Sequence, residues 1–374
     1  MTADLDDLRE LARAFCVNEL LPHQQRWREQ HHVDREVWYK GGSAGLLCMS
    51  IPEEYGGGGG TFAHEAVLLE EQARVGDNAW GIGVHCAVAA HYILAYGTEE
   101  QKRTWLPRMA SGETVVAIAM TEPGAGSDLQ GITTRAVKDG TDYVINGAKT
   151  FISNTSQAGL VIVVAKTDPN AGHRGISLLL VETNRDGVKR GRILDKIGQR
   201  GQDASELFFD GVRVPRTSVL GGVAGHGFAQ LMSQLPQERL TISVIAAAAM
   251  ESALEQTIAY TRTRRAFGKA LADFQHTRFT LAEAATEARV VKTFVDDCVI
   301  KHLGGELDGA TAAMAKWWST ECAMRVIDDC LQLHGGYGYM SEYPISHLWA
   351  DHRVARIYGG TTEIMKEIVA RSLL

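Results

Sequence analysis

In LPQER, residues 235–239, a carboxylate, Glu238, stands beside a guanidinium, Arg239. A carboxylate within hydrogen-bond reach of an acidic C–H is a candidate general base. The same letters have a plainer reading. An acid near Pro236 suits the first turn of a helix, where the macrodipole favours negative charge, and Arg239 then reads as a surface charge. Neighbouring helical residues do not face one another, so Arg239 is not simply the ion-pair partner of Glu238. A second stretch, IYGGTTE at 357–363, offers backbone without side chains at Gly359 and Gly360, followed by Thr361 and Glu363. If this loop borders a site where a proton is removed, the group that removes it has to come from elsewhere. A third, AMTEPGAGSD at 119–128, carries Thr121 and a turn of Gly124, Ala125, Gly126 and Ser127 whose backbone can approach a ligand closely. Taken alone, it reads equally well as a tight connection rich in Gly and Ser.

Other patterns invite chemistry without supporting it. GGSAG at 41–45 has the G-x-S-x-G form of a nucleophile elbow, but Ser43 follows the helical-looking REVWYKG, where an elbow needs a preceding strand. The five glycines at 56–60 lack the G-K-[ST] of a phosphate loop, so they read as a flexible surface turn. His31-His32 and HEAVL at 64–68 do not form H-E-x-x-H, and no cluster has metal-ligand spacing. The six cysteines contain no C-x-x-C pair, and in a chain this large buried free thiols are expected.

The elements that must position these residues come from a chain of 374 residues, 45% hydrophobic and 22% charged, long enough for two or three domains. Its net charge of −7 and pI near 6.0 supply no basic field for nucleic acid or anionic lipid. The opening MTADLDDLRE is acidic where a secretory signal is basic and then apolar, and no run approaches the roughly 18 apolar residues of a membrane span. We expect a cytoplasmic protein with no integral membrane segment and no nucleic-acid partner.

Residues 1–116 read as helical, with a stripe at Leu5, Leu8, Leu11 and Ala12 and a capping box in TEEQ at 98–101. Over 117–225 the period becomes strand-like: TTRAV and YVING flank the hairpin dipeptide Asp139-Gly140, and LVIVVA, ISLLLVE and ELFFDGVRV follow without intervening helices. This predicts an antiparallel sheet or barrel and argues against βαβ units of the nicotinamide-binding kind. Over 226–374 the helical period returns, with Leu281, Ala284, Ala288, Val291 and Val295 on one face and Trp317, Met324, Ile327 and Leu331 on another. The predicted class is α+β: a helical domain, a β domain and a helical bundle.

AMTEPGAGSD, KTFISN at 149–154, RRAFGK at 264–269, QLHGGYGY at 332–339 and IYGGTTEIM at 357–365 stand in the order found in acyl-CoA dehydrogenases, and from PEEYGG to IVAR the chain resembles that flavoenzyme family. The resemblance implies bound FAD. It places the hydroxyls of Thr121 and Ser153 at the flavin ring, with Phe151 covering one face, and polar contacts there tune the cofactor. It places Arg264, Gln275, Gln332, Gly335 and Gly336 at the pyrophosphate and adenine end, partly across a subunit boundary, with Ser127, Phe267, Thr361 and Glu363 as further FAD contacts. Arginine suits phosphate because its planar fork meets two oxygens at once. Ala266 stands where many members have a hydroxyl, so the resemblance does not carry that FAD contact over to this chain.

The reaction implied is dehydrogenation of an acyl-CoA thioester, a carboxylate taking the α proton while a hydride leaves the β carbon for flavin N5. Most members carry the glutamate base where this chain has Gly359. Long-chain and isovaleryl-CoA dehydrogenases resemble this chain in having glutamate at the position of Glu238 and a small residue in the loop, so Glu238 is the base the resemblance implies. Glu363 matches a position that faces the cofactor, and Glu342 reads as a structural or surface acid. By the same resemblance Ser127, Arg239, Gly359 and Gly360 border the acyl-CoA, and the Gly359 N–H donates to the thioester carbonyl. The motifs are closest to the long-chain type and favour a straight acyl chain of medium to long length, with a branched-chain or other specialised dehydrogenase, an oxygen-using oxidase or a non-enzymatic subunit as alternatives. An electron-transferring flavoprotein is the acceptor and a homotetramer the assembly that the family implies.

Overall fold

The computed structural model describes residues 2–374, with side chains from Asp4 onward, and runs helices, sheet, helices. In α1 (Thr2–Phe15) the inward line passes through Leu8, Ala12 and Phe15, a helical spacing, while Leu11 of the expected stripe stays exposed. α2 (Gln24–Gln30) and α3 (Arg35–Ser43) follow, and Ser43 closes a helix instead of forming an elbow. The five-glycine segment is pinned: its Gly58, Gly59 and Gly60 N–H groups donate to the Cys48, Ile51 and Met49 carbonyls, so it is a packed turn, not a flexible one. α4 (Phe62–Arg74) is buried nearly all round, and its enclosed Glu71 is held by Arg9 and Arg13 of α1, each at 2.8 Å. A π-helical segment, Gly83–Ala90, leads into α5 (His91–Tyr96); π turns are frequent at functional sites. α6 (Glu99–Ala110) begins with the predicted box, in which Gln101 N–H donates to Thr98 Oγ1 at 3.2 Å and Thr98 N–H to Gln101 Oε1 at 3.0 Å.

The sheet contains β1 (Val115–Ala119), β2 (Arg135–Asp139), β3 (Asp142–Ser153), β4 (Ala158–Lys166), β5 (Ile176–Glu182), β6 (Val188–Ile193) and β7 (Ala204–Pro215). Asp139-Gly140 makes the expected hairpin, β2 pairing antiparallel with β3 and Gly140 taking the left-handed φ of 63°. β3 with β7, β4 with β5 and β6 with β7 are also antiparallel. β1, however, runs parallel to β4, and β2 meets β4 in parallel through Arg135 and Lys166. The sheet is therefore mixed, not wholly antiparallel. Because the β2–β3 hairpin joins β1 to β4, the parallel pair is still not a βαβ unit.

α7 (Gly227–Thr263), α8 (Gln275–Leu303) and α9 (Gly309–His334) form the bundle, completed by α10 (Pro344–His352) and α11 (Thr362–Leu373). Of the predicted α8 stripe, Ala284, Ala288, Val291 and Val295 are buried and Leu281 is partly so, whereas of the α9 stripe Ile327 alone is fully buried. α7 is the central element, packed on α4, α8 and α9. Pro236 lies well inside it. It removes one helical N–H, and the carbonyl that loses its donor belongs to Met232 on the exposed side.

Candidate active site

Glu238 sits mid-helix in α7, so the reading of it as a first-turn acid fails: the helix dipole acts on the end turns. Its carboxylate is half-buried by area, yet enclosed by protein. Tyr92 of α5 donates its hydroxyl to Glu238 Oε1 at 2.6 Å, a long-range contact that nothing local in the chain foretells. Burial pushes the Glu238 carboxyl above its usual range, opposed by the Tyr92 hydrogen bond and the Arg239 charge. Arg239 is not a surface charge: it is 7% exposed, and its Nε is buried without a protein partner. Burial draws its guanidinium down, and Glu238 opposes that.

The loop at 357–361 lies against the same helix. Gly359 and Gly360 have φ of 66° and 97°, left-handed conformations that disfavour any side chain. A Cβ on Gly359 would fall 2.3 Å from Ile242 Cδ1. Ile242 is one helical turn beyond Glu238 and therefore on the same face, so that face of α7 meets the loop at Gly359. From beneath, Lys316 of α9, with no exposed surface, donates to the Gly360 carbonyl at 2.6 Å. Burial and then Arg239 draw its ammonium down to about 8, with Glu321 and Glu363 opposing. Thr361 caps α11, accepting from Ile364 N–H at 3.4 Å, and Glu363 lies exposed in that first turn. Glu342 is exposed, as a surface acid should be. Tyr92, Ile242 and Lys316 escaped the sequence reading. Only Lys316 left a trace there, a lone cation in the apolar helical run AAMAKWW.

A second group gathers at the sheet. Thr121 follows β1, and its carbonyl accepts from Thr150 N–H at 3.0 Å, tying the AMTEPGAGSD segment to KTFISN. Beneath it, Lys149 donates to Glu122 at 2.8 Å in a fully buried pair, and Glu122 also accepts from Thr133 N–H at 2.6 Å and Thr134 N–H at 3.0 Å. Burial opposes that negative charge, but the donors outweigh it and hold the Glu122 carboxyl down at about 2. Phe151 is 68% exposed on a left-handed backbone at φ 60°, a strained placement that presents a bare aromatic face. Ser153 is half-buried beside it, and Ser127 is exposed.

A third group lines a cavity of about 660 Å³ where α7 ends and α9 gives way to the 335–339 turn. Arg264, Gln332, Gly335 and Gly336 meet there, with the Arg264 guanidinium 5.3 Å from the centre of the Tyr337 ring. A Cβ on either glycine would touch nothing within 4 Å, so the cradle is open. Gln275 opens α8 beside lining residues His276 and Thr277 but does not itself line the cavity. Phe267 is 95% exposed on the small hairpin of Arg265–Ala266 and Lys269–Ala270 and stands outside it too.

The fold also assembles three ligand-type residues, Cys48, His85 and Cys86, which corrects the expectation of no such cluster. Both His85 ring nitrogens are occupied, Nδ1 accepting from Val116 N–H and Nε2 meeting the Met109 carbonyl, each at 3.1 Å. All six thiols are free and buried. Among the described residues, no helix is long and apolar enough to cross a membrane.

A carboxylate on the helix face that meets a glycine loop, an exposed aromatic in a bulged strand and an arginine-glycine cradle, set in three segments of helix, strand and helix, define a class that comparison with known proteins identifies. Family models for the N-terminal, middle and C-terminal domains of acyl-CoA dehydrogenase match residues 2–113, 117–212 and 225–374. The long-chain specific acyl-CoA dehydrogenase of Sus scrofa mitochondria is 46% identical over 375 residues, covering 100% of this chain and 87% of that protein. The crystal structure of acyl-CoA dehydrogenase from Geobacillus kaustophilus superposes with a TM-score of 0.97 at 47% identity, covering 99% of this chain and 98% of that one. A glutaryl-CoA dehydrogenase from Mycobacterium smegmatis in complex with FADH2 gives a TM-score of 0.93 at 29% identity over 99% of this chain and 94% of its own. The chain belongs to the acyl-CoA dehydrogenase family and is an oxidoreductase of that kind. Members of the family depend on FAD.

Proposed function

We propose that the protein dehydrogenates a straight acyl-CoA of medium to long chain between its α and β carbons, with Glu238 as the base. The observation that carries this is Ile242 against Gly359: it puts the Glu238 face of α7 opposite the loop where the family's usual base is missing. Glu238 takes the α proton. The Gly359 N–H donates to the thioester carbonyl, where charge develops as the proton leaves; such a donor contributes roughly a hundredfold in rate. Lys316 braces the loop through Gly360, and Arg239 offsets the buried charge nearby. The resemblance to a long-chain relative supports the substrate class.

FAD fits the residues present. The open cradle at Gly335 and Gly336 beside Arg264 suits a pyrophosphate, and the uncovered Phe151 ring suits a flavin face, with Ser153 two residues further on and Thr121 tied to Thr150 through its carbonyl. When bound, FAD supplies the hydride acceptor for the β carbon. Thr361 and Glu363 are further proposed contacts, and Gln275 and Phe267, outside the cavity of one chain, suit contacts from a neighbouring subunit. Arg264→Ala should weaken FAD retention about tenfold, read as flavin fluorescence released on dilution; full retention would remove Arg264 from the site.

A homotetramer is the assembly we infer. The 95% exposure of Phe267 and 85% exposure of Tyr339 leave apolar surface that self-association would cover. Sedimentation of the holoenzyme should report four times the 40.8 kDa chain mass, and a monomer that holds FAD would refute the assembly. The function itself is tested by adding a panel of acyl-CoAs anaerobically to the yellow protein. Bleaching fastest with medium to long straight chains supports it, and no bleaching with any acyl-CoA contradicts it. Repeating the assay with electron-transferring flavoprotein and with oxygen separates a dehydrogenase from an oxidase.

A further inference from the structure

We propose that Tyr92 is a positioning residue for the base, fixing the Glu238 carboxylate in its ionised form with Oε2 as the atom that receives the proton. The inference rests on the assignment of Glu238 above. The 2.6 Å contact has the length of a charge-assisted O–H···O⁻ hydrogen bond. Among the described residues Oε1 alone of the two oxygens is hydrogen-bonded, which leaves Oε2 for substrate.

Two adjacent cross-links keep this geometry rigid. Tyr92 reaches Glu238, and the next residue on α7, Gln237, donates to the Ala87 carbonyl of the π-helical segment at 2.7 Å. Gln237 is itself held by His302 of α8 at 3.0 Å. The Tyr92 ring has no exposed surface, so its hydroxyl has nowhere to swing. Phenylalanine in its place would keep the packing and the Gln237 clamp and delete one donor.

The surrounding charges leave Tyr92 the decisive partner near neutral pH. Burial, then Glu238, push the Tyr92 phenol well above its ordinary range, so it remains a donor at every working pH. His91 of α5 is drawn down by burial and His302 to about 4, so its ring is neutral, and burial draws His302 down as well. Tyr96 of α5 faces Tyr92, and Arg239 on α7 supplies positive charge to the carboxylate, while Lys316 on α9 feels the charge of Arg239 and holds the loop. Glu65 of α4 reaches about 7 through burial and then Cys48, but it lies behind Ser50 and His91.

The base works ionised, so activity rises with pH through its titration, and deleting a donor to the carboxylate moves that rise upward. Tyr92→Phe holoenzyme, with its FAD spectrum and melting temperature unchanged, should show kcat/KM at about pH 6 roughly tenfold further below wild type than at about pH 8.5. A loss equal at all pH values, or no loss, would overturn the proposal. Infrared titration supplies a second readout. The carboxylic C=O band that Glu238→Gln abolishes should titrate at higher pH in Tyr92→Phe than in wild type, and an unmoved midpoint overturns the role of Tyr92 whichever group is the base. Normal turnover by Glu238→Gln would instead overturn the base assignment and leave the infrared result to judge Tyr92.

Discussion

Glu238→Gln should keep its fold and its FAD while losing on the order of a hundredfold or more in turnover, the effect of removing a general base from a proton-transfer step. The glutamine is nearly isosteric, and its carbonyl can still accept from Tyr92 at the position of Oε1. The substitution removes a negative charge whose burial is unfavourable, so thermal stability should hold or rise slightly. Loss of activity without loss of stability is the signature to look for, measured as kcat with a saturated acyl-CoA beside flavin absorbance and melting. Normal kcat would turn attention to Glu363, despite its exposure at the start of α11.

Moving the base back to the loop is a harsher test, and the structure alters what it should give. Exchanging Glu238 for Gly and Gly359 for Glu keeps the number of carboxylates and asks whether the two positions serve one carbon atom. The exchange alone should recover little. Position 359 has φ 66°, which costs a side-chain residue roughly 1–2 kcal/mol, and its Cβ would lie 2.3 Å from Ile242 Cδ1. Ile242 is the end of a flexible side chain, so the clash can be relieved by trimming it. Adding Ile242→Ala to the exchange should raise kcat by tenfold or more over the exchange alone, because overpacking of this kind costs about 1–3 kcal/mol. Equal inactivity of both variants with FAD still bound would count against a shared geometry.

What was legible beforehand was local. The Thr98 box, the Asp139-Gly140 hairpin and the α8 stripe depend on residues three or four apart, and each formed as read. β6 went unread because VKRGRI alternates weakly and lies at the outer edge of the sheet, where little of it is buried. Pro236 misled: proline is favoured at a helix start, and nothing local shows that α7 runs through it. That single misplacement made Glu238 resemble an end-turn acid and Arg239 a surface charge. Their true settings depend on Tyr92, 146 residues earlier in the chain, and on α9, partners that only the folded bundle brings within reach. The parallel β1–β4 pairing is likewise non-local, since a hairpin separates the two strands.

Proton abstraction can be isolated from hydride loss with a 3-thiaacyl-CoA, whose sulfur occupies the β position and has no hydride to give. Incubated in deuterium oxide with FAD-loaded wild type, the thioester should exchange its α hydrogens for deuterium, detected by mass spectrometry, and with Glu238→Gln that exchange should slow by about a hundredfold or more. Exchange at the wild-type rate in the glutamine variant would mean that some other group touches the α hydrogen.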